Sequence, residues 1–284
     1  MKTDSAEKET TLRWLLNALS SSLGRKVVMA ITGLLLCGFL VAHLAGNFLL
    51  YMGDGGKSYN EYAHALHKQA ALLAVAEVGL FGLFVAHIVI ALQVSAENRA
   101  ARKVGYAMRQ SKQEGRYASD GYRPDTWMLV TGIMVLGFLV LHLMDFRLEL
   151  RDKHFYHNSA GAALTPFGKA MALLSSSNMV TIVGYTFGCL ALLAHLSHGF
   201  QSAFQTLGFN HPKYTPLIKT FGLIFAFTIG IGFASFPISG FLKGTAPPSS
   251  QPSMMVLPPT NQSAPTPPPG TIEGVDDPDG ADRK

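Results

Sequence analysis

Four histidines lie inside strongly apolar segments of this sequence: His43, His87, His142 and His195. A strongly charged side chain at the centre of a membrane costs on the order of 2.5 kcal/mol, so a polar group retained there usually faces a partner, a cavity or a cofactor. Neutral imidazole is a common metal ligand, and two imidazoles from facing helices give a six-coordinate haem iron suited to electron transfer. The four histidines therefore predict a protein that holds two haems.

Five apolar runs must position these imidazoles, and they cover residues 27–52, 70–94, 127–144, 179–200 and 217–242. Each run is close to the ~20 residues that a helix needs to cross a hydrocarbon core of ~30 Å. The sequence thus predicts an all-α fold, an integral membrane bundle of five transmembrane helices. The first four runs each contain one of the four histidines, and the fifth run contains no histidine.

The basic residues are unevenly distributed over the predicted loops. Fourteen of the 23 lysines and arginines fall on the side of the N-terminus, and seven of these lie between residues 95 and 125. The positive-inside rule then places the N-terminus in the cytoplasm and the C-terminus outside the cell inner membrane. The formal net charge of +5 is explained by lipid headgroups and acidic partner surfaces, and nucleic acid is not expected as a partner.

This orientation sorts the four histidines into two depths. His43 and His142 fall in the outer half of the membrane, and His87 and His195 fall in the inner half. A rise of 1.5 Å per residue separates the two levels by ~15 Å. The prediction is an outer haem site of His43 with His142 and an inner site of His87 with His195; His198, one turn beyond His195, matches the depth of His87 less well.

Glycines near the histidines are expected to make room for a flat macrocycle. They are Gly38, Gly46, Gly82, Gly137, Gly188 and Gly199. Gly184 and Gly188 also form a small-xxx-small pair that would suit plain helix packing.

At this point the chain resembles the dihaem cytochrome b membrane anchors of succinate dehydrogenase and fumarate reductase. The residues that carry the resemblance are 21–26 (SSLGRK), 29–33 (MAITG), 43–47 (HLAGN), 59–63 (YNEYA) and 195–208 (HLSHGFQSAFQTLG). The resemblance covers about residues 20–242. It implies five transmembrane helices and two b haems held by the same pairs, His43 with His142 and His87 with His195.

The resemblance also implies a role and partners. Such an anchor docks a flavoprotein subunit and an iron–sulfur subunit on its cytoplasmic face, and passes electrons between them and membrane quinone. The chain would thus be a subunit of a succinate:quinone oxidoreductase that does not itself oxidise succinate. Its two cysteines, Cys37 and Cys189, cannot supply the four thiolates of an iron–sulfur cluster and are interpreted as small buried hydrophobic residues.

Three alternatives stay open. The first is a fumarate reductase anchor that oxidises menaquinol, although Leu193 stands where some members of the resembled family carry a proton-transferring glutamate. The second is the cytochrome b anchor of another dehydrogenase; a bc-type anchor is disfavoured because no span carries two histidines ~14 residues apart. The third is a haem-free transporter or proton channel that uses its histidines as relays.

A quinone site needs a proton-transferring group beside an apolar slot. Glu61 and His64 are the predicted quinone-site residues, with His67 and Asp145 at similar depth. Menaquinone is the favoured quinone, because an outer site would let the membrane potential assist its reduction by succinate, by ~2.3 kcal/mol per charge and per 100 mV. Glu77 lies inside the second span and is interpreted as a proton carrier or as an acid bonded within the bundle.

The two ends of the chain differ from the middle. Residues 1–26 are predicted to be a cytoplasmic amphipathic segment, residues 27–242 the transmembrane dihaem domain, and residues 243–284 a disordered exterior tail. The tail is rich in proline, serine and threonine and ends in aspartates, a composition that cannot bury a core.

The predicted orientation has a direct test. A topology reporter fused after residue 110 should read cytoplasmic, because the basic loop is retained inside, and one fused after residue 250 should read exterior. The opposite pair of results would invert the depth assigned to both sites.

Overall fold

A computed structural model describes residues 13–14, 17–101, 124–158, 161–175 and 178–243, and these contain no β-strand. The helices are α1 (Ser22–Asn47), α2 (Lys57–Lys68), α3 (Ala70–Ala100), α4 (Pro124–Phe146), α5 (Pro166–Leu173), α6 (Met179–Thr206) and α7 (Thr215–Lys243). The predicted all-α fold is confirmed. The predicted C-terminal tail, most of the basic loop and residues 1–12 of the amphipathic segment lie outside the described residues.

Five of these helices are long and apolar enough to cross a membrane: α1, α3, α4, α6 and α7. They coincide with the five predicted spans and make the chain a multi-pass membrane protein. The helices extend beyond the apolar runs, since α1 already begins at Ser22 and α3 continues to Ala100. Polar residues at the edge of a membrane can prolong a helix without adding to its apolar run.

Side-chain caps fix where three of the helices begin. The hydroxyl of Ser21 accepts a hydrogen bond from Gly24 N at 3.0 Å, and the hydroxyl of Thr165 accepts one from Gly168 N at 3.1 Å. Asn178 Oδ1 accepts from Thr181 N at 3.3 Å. Each cap satisfies an N–H group that has no partner within its own helix.

The helices α1, α3, α4 and α6 form a four-membered ring. α1 packs against α3 and α6, and α4 packs against α6 and touches α3. This places α1 and α4 on one diagonal of the ring and α3 and α6 on the other. α7 lies outside the ring against α6 and α1, and the largest buried cluster joins these three helices through residues such as Leu44, Leu192 and Ile229.

The bundle has two ends, which we name end A, where α1 begins, and end B, where α1 ends. At end A an ion pair of 2.5 Å joins Arg25 of α1 to Glu97 near the close of α3. At end B an ion pair of 3.1 Å joins Glu77 of α3 to Arg147, which directly follows α4. In the predicted orientation end A is cytoplasmic and end B is exterior.

Two short helices at end B were not predicted. α2 and α5 contact each other: Asn60 Oδ1 accepts a hydrogen bond from Phe167 N at 3.0 Å, and the Phe167 ring lies directly against Gly56. Gly56 has a φ of +89°, a conformation that glycine adopts without the penalty of a Cβ. The segments that connect the spans at this end therefore pack on each other instead of forming open loops.

Candidate functional site

The structure brings His43 and His142 together across the α1–α4 diagonal. Each lies four residues before the end of its helix, close to end B. Their ring centroids are 5.9 Å apart with an interplanar angle of 82°. Both imidazoles are half-buried. They form the pair that was predicted as the outer site.

Aromatic rings surround this outer pair. Phe39 stacks on His43 at 5.2 Å between centroids, and Phe233 of α7 lies 5.6 Å from the same ring. His142 contacts Phe146 at 5.2 Å and Tyr185 at 6.0 Å. Its Nδ1 atom is buried and has no hydrogen-bond partner among the residues that the structure describes. Few polar atoms therefore compete for these imidazoles.

The other two histidines occupy the second diagonal, on α3 and α6. His87 Nδ1 lies 3.1 Å from the hydroxyl of Thr32 on α1, and His195 Nδ1 lies 3.3 Å from the hydroxyl of Thr131 on α4. His195 is within electrostatic range of both His87 and His198. His195, which was preferred over His198, is thus the histidine held against α4.

The two pairs lie at different levels of the bundle. On α1, Thr32 marks the level of His87, and His43 follows eleven residues later. On α4, Thr131 marks the level of His195, and His142 also follows eleven residues later. Eleven residues of helix span about 16 Å, which agrees with the depth difference expected from the sequence.

The outer pair has a geometry that fits a shared metal ion. Bonds of about 2 Å from one metal to two ring nitrogens on opposite sides would place the ring centroids roughly 6 Å apart. The observed 5.9 Å matches this separation, and the donor set is two imidazoles in apolar surroundings. No cluster of three or more histidine, cysteine or acidic side chains is found among the described residues.

The two helices that carry the outer pair contain an internal sequence repeat, which was not among the predicted features. Residues 29–44 align with residues 128–143 without a gap, at a constant offset of 99. The identical positions in the first copy are Met29, Thr32, Gly33, Gly38, Phe39, Leu40, Val41, His43 and Leu44. Because α1 and α4 both begin at end A, the two copies run parallel at opposite corners of the ring. Comparing the sequence with itself would have found this signal.

The glycines near the histidines were expected to make room for a flat macrocycle, and they lie in different surroundings. Gly38, Gly82 and Gly137 each lie five residues before a histidine, about 140° around the helix, and a Cβ there would meet no atom within 4 Å. They lie on a different side of the helix from the histidine that follows and border open space, and their role beside a macrocycle stays a prediction. A Cβ at Gly46 would meet Tyr62, and a Cβ at Gly199 would meet Met128.

The small-xxx-small pair, Gly184 and Gly188, serves the packing of one helix on another. A Cβ at Gly184 would meet Leu141 at 2.9 Å, and one at Gly188 would overlap the Phe138 ring. These two glycines allow α6 to approach α4 closely. Cys37 and Cys189 are free and buried, as predicted.

A buried polar network lies beside the outer pair at end B. The Asp145 side chain is fully buried and lies 2.7 Å from Arg151 Nε. The Tyr185 hydroxyl donates to Asp145 Oδ2 at 3.0 Å, and Arg151 donates to Asn178 Oδ1 at 3.2 Å. Tyr185 also contacts the His142 ring, so the network fastens the segment after α4 to α6 next to the imidazole.

The predicted quinone-site residues lie on α2, outside the ring of four helices. Glu61 and His64 are both exposed, and Glu61 lies 3.9 Å from Lys57. The neighbouring Tyr62 ring packs against Gly46, one turn beyond His43. α2 is thereby held beside the outer pair, although neither Glu61 nor His64 contacts an imidazole of that pair in the described structure. Glu77 is bonded to Arg147, a partner 70 residues away that its sequence neighbourhood could not indicate.

Comparison with known proteins found no match to this chain. No protein-family model, no curated protein sequence and no solved structure matches the chain. The resemblance to the dihaem anchors therefore rests on the motifs quoted above.

The buried ion pair predicts a large loss of stability when one partner is removed. Arg151→Gln should lower the free energy of unfolding by about 3–5 kcal/mol, because Asp145 would be left charged and unpaired in the interior. Lys57→Gln is the matched control at the same end, since the exposed Lys57–Glu61 pair contributes no more than about 0.5 kcal/mol. Denaturant titration of the purified chain in detergent measures both. Equal effects of the two substitutions would show that the Asp145 pair does not stabilise the fold.

Proposed function

We propose that this chain is the membrane anchor and electron-transfer subunit of a succinate dehydrogenase, with two b haems held between its helices. The observation that carries the proposal is the arrangement of four imidazoles in two facing pairs, about 16 Å apart along the bundle. His43 and His142 would hold one haem, and His87 and His195 the other. Flavoprotein and iron–sulfur subunits would bind at end A, on the cytoplasmic face of the cell inner membrane.

The residues of the chain have distinct tasks in this proposal. Haem, when bound, supplies one-electron redox chemistry. The four imidazoles would hold the two haems, two at each site, and ligation by two imidazoles suits electron transfer rather than oxygen chemistry. The apolar side chains around the outer pair keep water away from the metal, and low solvent access is one factor that sets a redox potential.

The pairing of the histidines is tested by haem content. His43→Ala and His142→Ala should each remove one and the same haem, and His87→Ala and His195→Ala should each remove the other, because each iron needs both of its imidazoles. His198→Ala is the matched control on α6 and should keep both haems. The measurement is haem quantification with reduced-minus-oxidised absorption spectra of the purified variants.

Two outcomes would contradict this assignment. If the His43 and His87 variants lose the same haem, the pairs are wrong. If the unsubstituted protein, expressed with an adequate haem supply, contains no haem, a haem-free transporter or proton channel becomes the better interpretation of the four histidines.

We place the quinone reaction at end B, beside the outer pair, and Glu61 with His64 at its edge. The packing of Tyr62 on Gly46 supports this placement because it holds α2 one turn from His43. The exposure of Glu61 supports a role in exchanging protons with water. Menaquinone is the quinone we expect, since electrons that cross from end A to end B are assisted by the membrane potential.

Glu61→Gln tests the quinone site. Loss of a general acid–base group should slow quinone turnover by about a hundredfold or more, while haem spectra and succinate oxidation with an artificial acceptor at end A stay unchanged. Asp152→Asn removes another exposed carboxylate at end B and should have little effect on either reaction. Normal quinone turnover by the Glu61 variant would remove this residue from the site without affecting the haem assignment.

A further inference from the structure

The two inner imidazoles share a contact that the outer ones do not show. Each inner imidazole faces a threonine hydroxyl, and that hydroxyl already donates its one proton to a backbone carbonyl in the helix of the threonine. Thr32 donates to the Val28 carbonyl at 2.9 Å, and Thr131 donates to the Trp127 carbonyl at 2.9 Å. A hydroxyl that donates to a carbonyl can only accept a hydrogen bond from a neighbouring ring nitrogen.

We propose that Thr32 and Thr131 are positioning residues that hold His87 and His195 with Nδ1–H directed at the hydroxyl and the Nε2 lone pair free to bind iron. This inference rests on the proposed function, because it concerns the inner haem. Histidines that bind metals commonly donate their other N–H group to a fixed acceptor, and this bond sets the tautomer and the orientation of the ring.

The glycine after each threonine provides the space that this orientation needs. A Cβ at Gly33 would lie 3.3 Å from His87 Cε1, and a Cβ at Gly132 would lie 3.5 Å from His195 Cε1. A larger side chain at either position would press the ring away from the hydroxyl. The Thr-Gly dipeptide thus supplies both an acceptor and a gap, and it occurs at the same position in both copies of the repeat.

The outer pair lacks this device. Within the described part of the chain, His142 Nδ1 is buried without a hydrogen-bond partner, and the rings around His43 and His142 are aromatic. A hydrogen bond from Nδ1–H makes an imidazole a more basic ligand, which favours ferric over ferrous iron. The threonines should therefore lower the reduction potential of the inner haem and leave that of the outer haem unaffected.

The two threonines should not contribute equally. The Met29 carbonyl is a further hydrogen-bond acceptor beside His87, so His87 can keep an acceptor when the Thr32 hydroxyl is removed. Among the described residues, Thr131 is the acceptor found for His195. Thr131 is therefore the more informative position to change.

The test compares Thr131→Val with Thr131→Ser in the full chain, assembled with its partner subunits. Serine keeps the hydroxyl and valine removes it with little change of shape. Thr228→Val is the matched control, because Thr228 lies on the exposed side of α7. Redox titration followed by absorption gives both potentials, and electron paramagnetic resonance of the ferric haems reports the ligand field; neither depends on turnover.

Thr131→Val should weaken the preference of the inner site for ferric over ferrous iron about tenfold, which raises its potential by about 59 mV for one electron. Thr32→Val should give a smaller rise, and Thr131→Ser and Thr228→Val none. Selective loss of the inner haem in Thr131→Val, reversed in Thr131→Ser, would also support the inference. If the Thr131→Val protein fails to fold, the Thr32→Val protein tests the inference instead. The reduction potential of its inner haem must then rise.

An unchanged inner potential in a Thr131→Val protein with two haems would overturn the role of the threonines and leave the proposed function intact. A shift of the outer potential instead of the inner one would overturn it as well. Absence of haem from the unsubstituted protein is a different result, which overturns the proposed function itself.

Discussion

The main constraint on this molecule is that an imidazole inside a membrane must find its partner within the protein. Neither lipid nor water can satisfy it there, and an unpaired polar group in an apolar medium costs several kcal/mol. All four membrane histidines accordingly point between helices, and none of them faces the apolar exterior. The ring of four helices brings the imidazoles to its interior at two levels: His87 and His195 each meet a threonine hydroxyl, and His43 and His142 meet each other.

The imidazoles occupy the middle of the ring, and the ring helices are also supported from outside it. α7 carries no histidine and packs closely against two of them: a Cβ at Gly230 would meet Leu193 at 2.5 Å, and one at Gly232 would meet Leu44 at 2.9 Å. Both contacts hold ring helices in place from outside. The fifth span is therefore best understood as a support for α1 and α6, which explains why it needs no histidine.

The sequence predicted the features that depend on local composition. Five apolar runs of membrane length give five helices, and the distance of each histidine from the centre of its run gives its level. The polar contacts between helices could not be predicted from the sequence. Glu77 and Arg147, for example, are 70 residues apart and meet only because α3 and α4 are neighbours. α2 was missed because its surface is mostly polar, and α5 because it has only eight residues. The repeat of α1 in α4 was present in the sequence and needed only a self-comparison.

Each imidazole pair takes one residue from the first two spans, α1 and α3, and one from the next two, α4 and α6, so neither half of the chain contains a complete site. A group that is bound by both histidines of a pair binds the chain only when the two halves are packed together, and it does not bind the separated halves. Its binding free energy then adds to the stability of the whole bundle through thermodynamic linkage. Cofactor loading and the final association of the two halves would thus be one equilibrium, and a cell short of the cofactor would accumulate a loosely joined pair of helical hairpins.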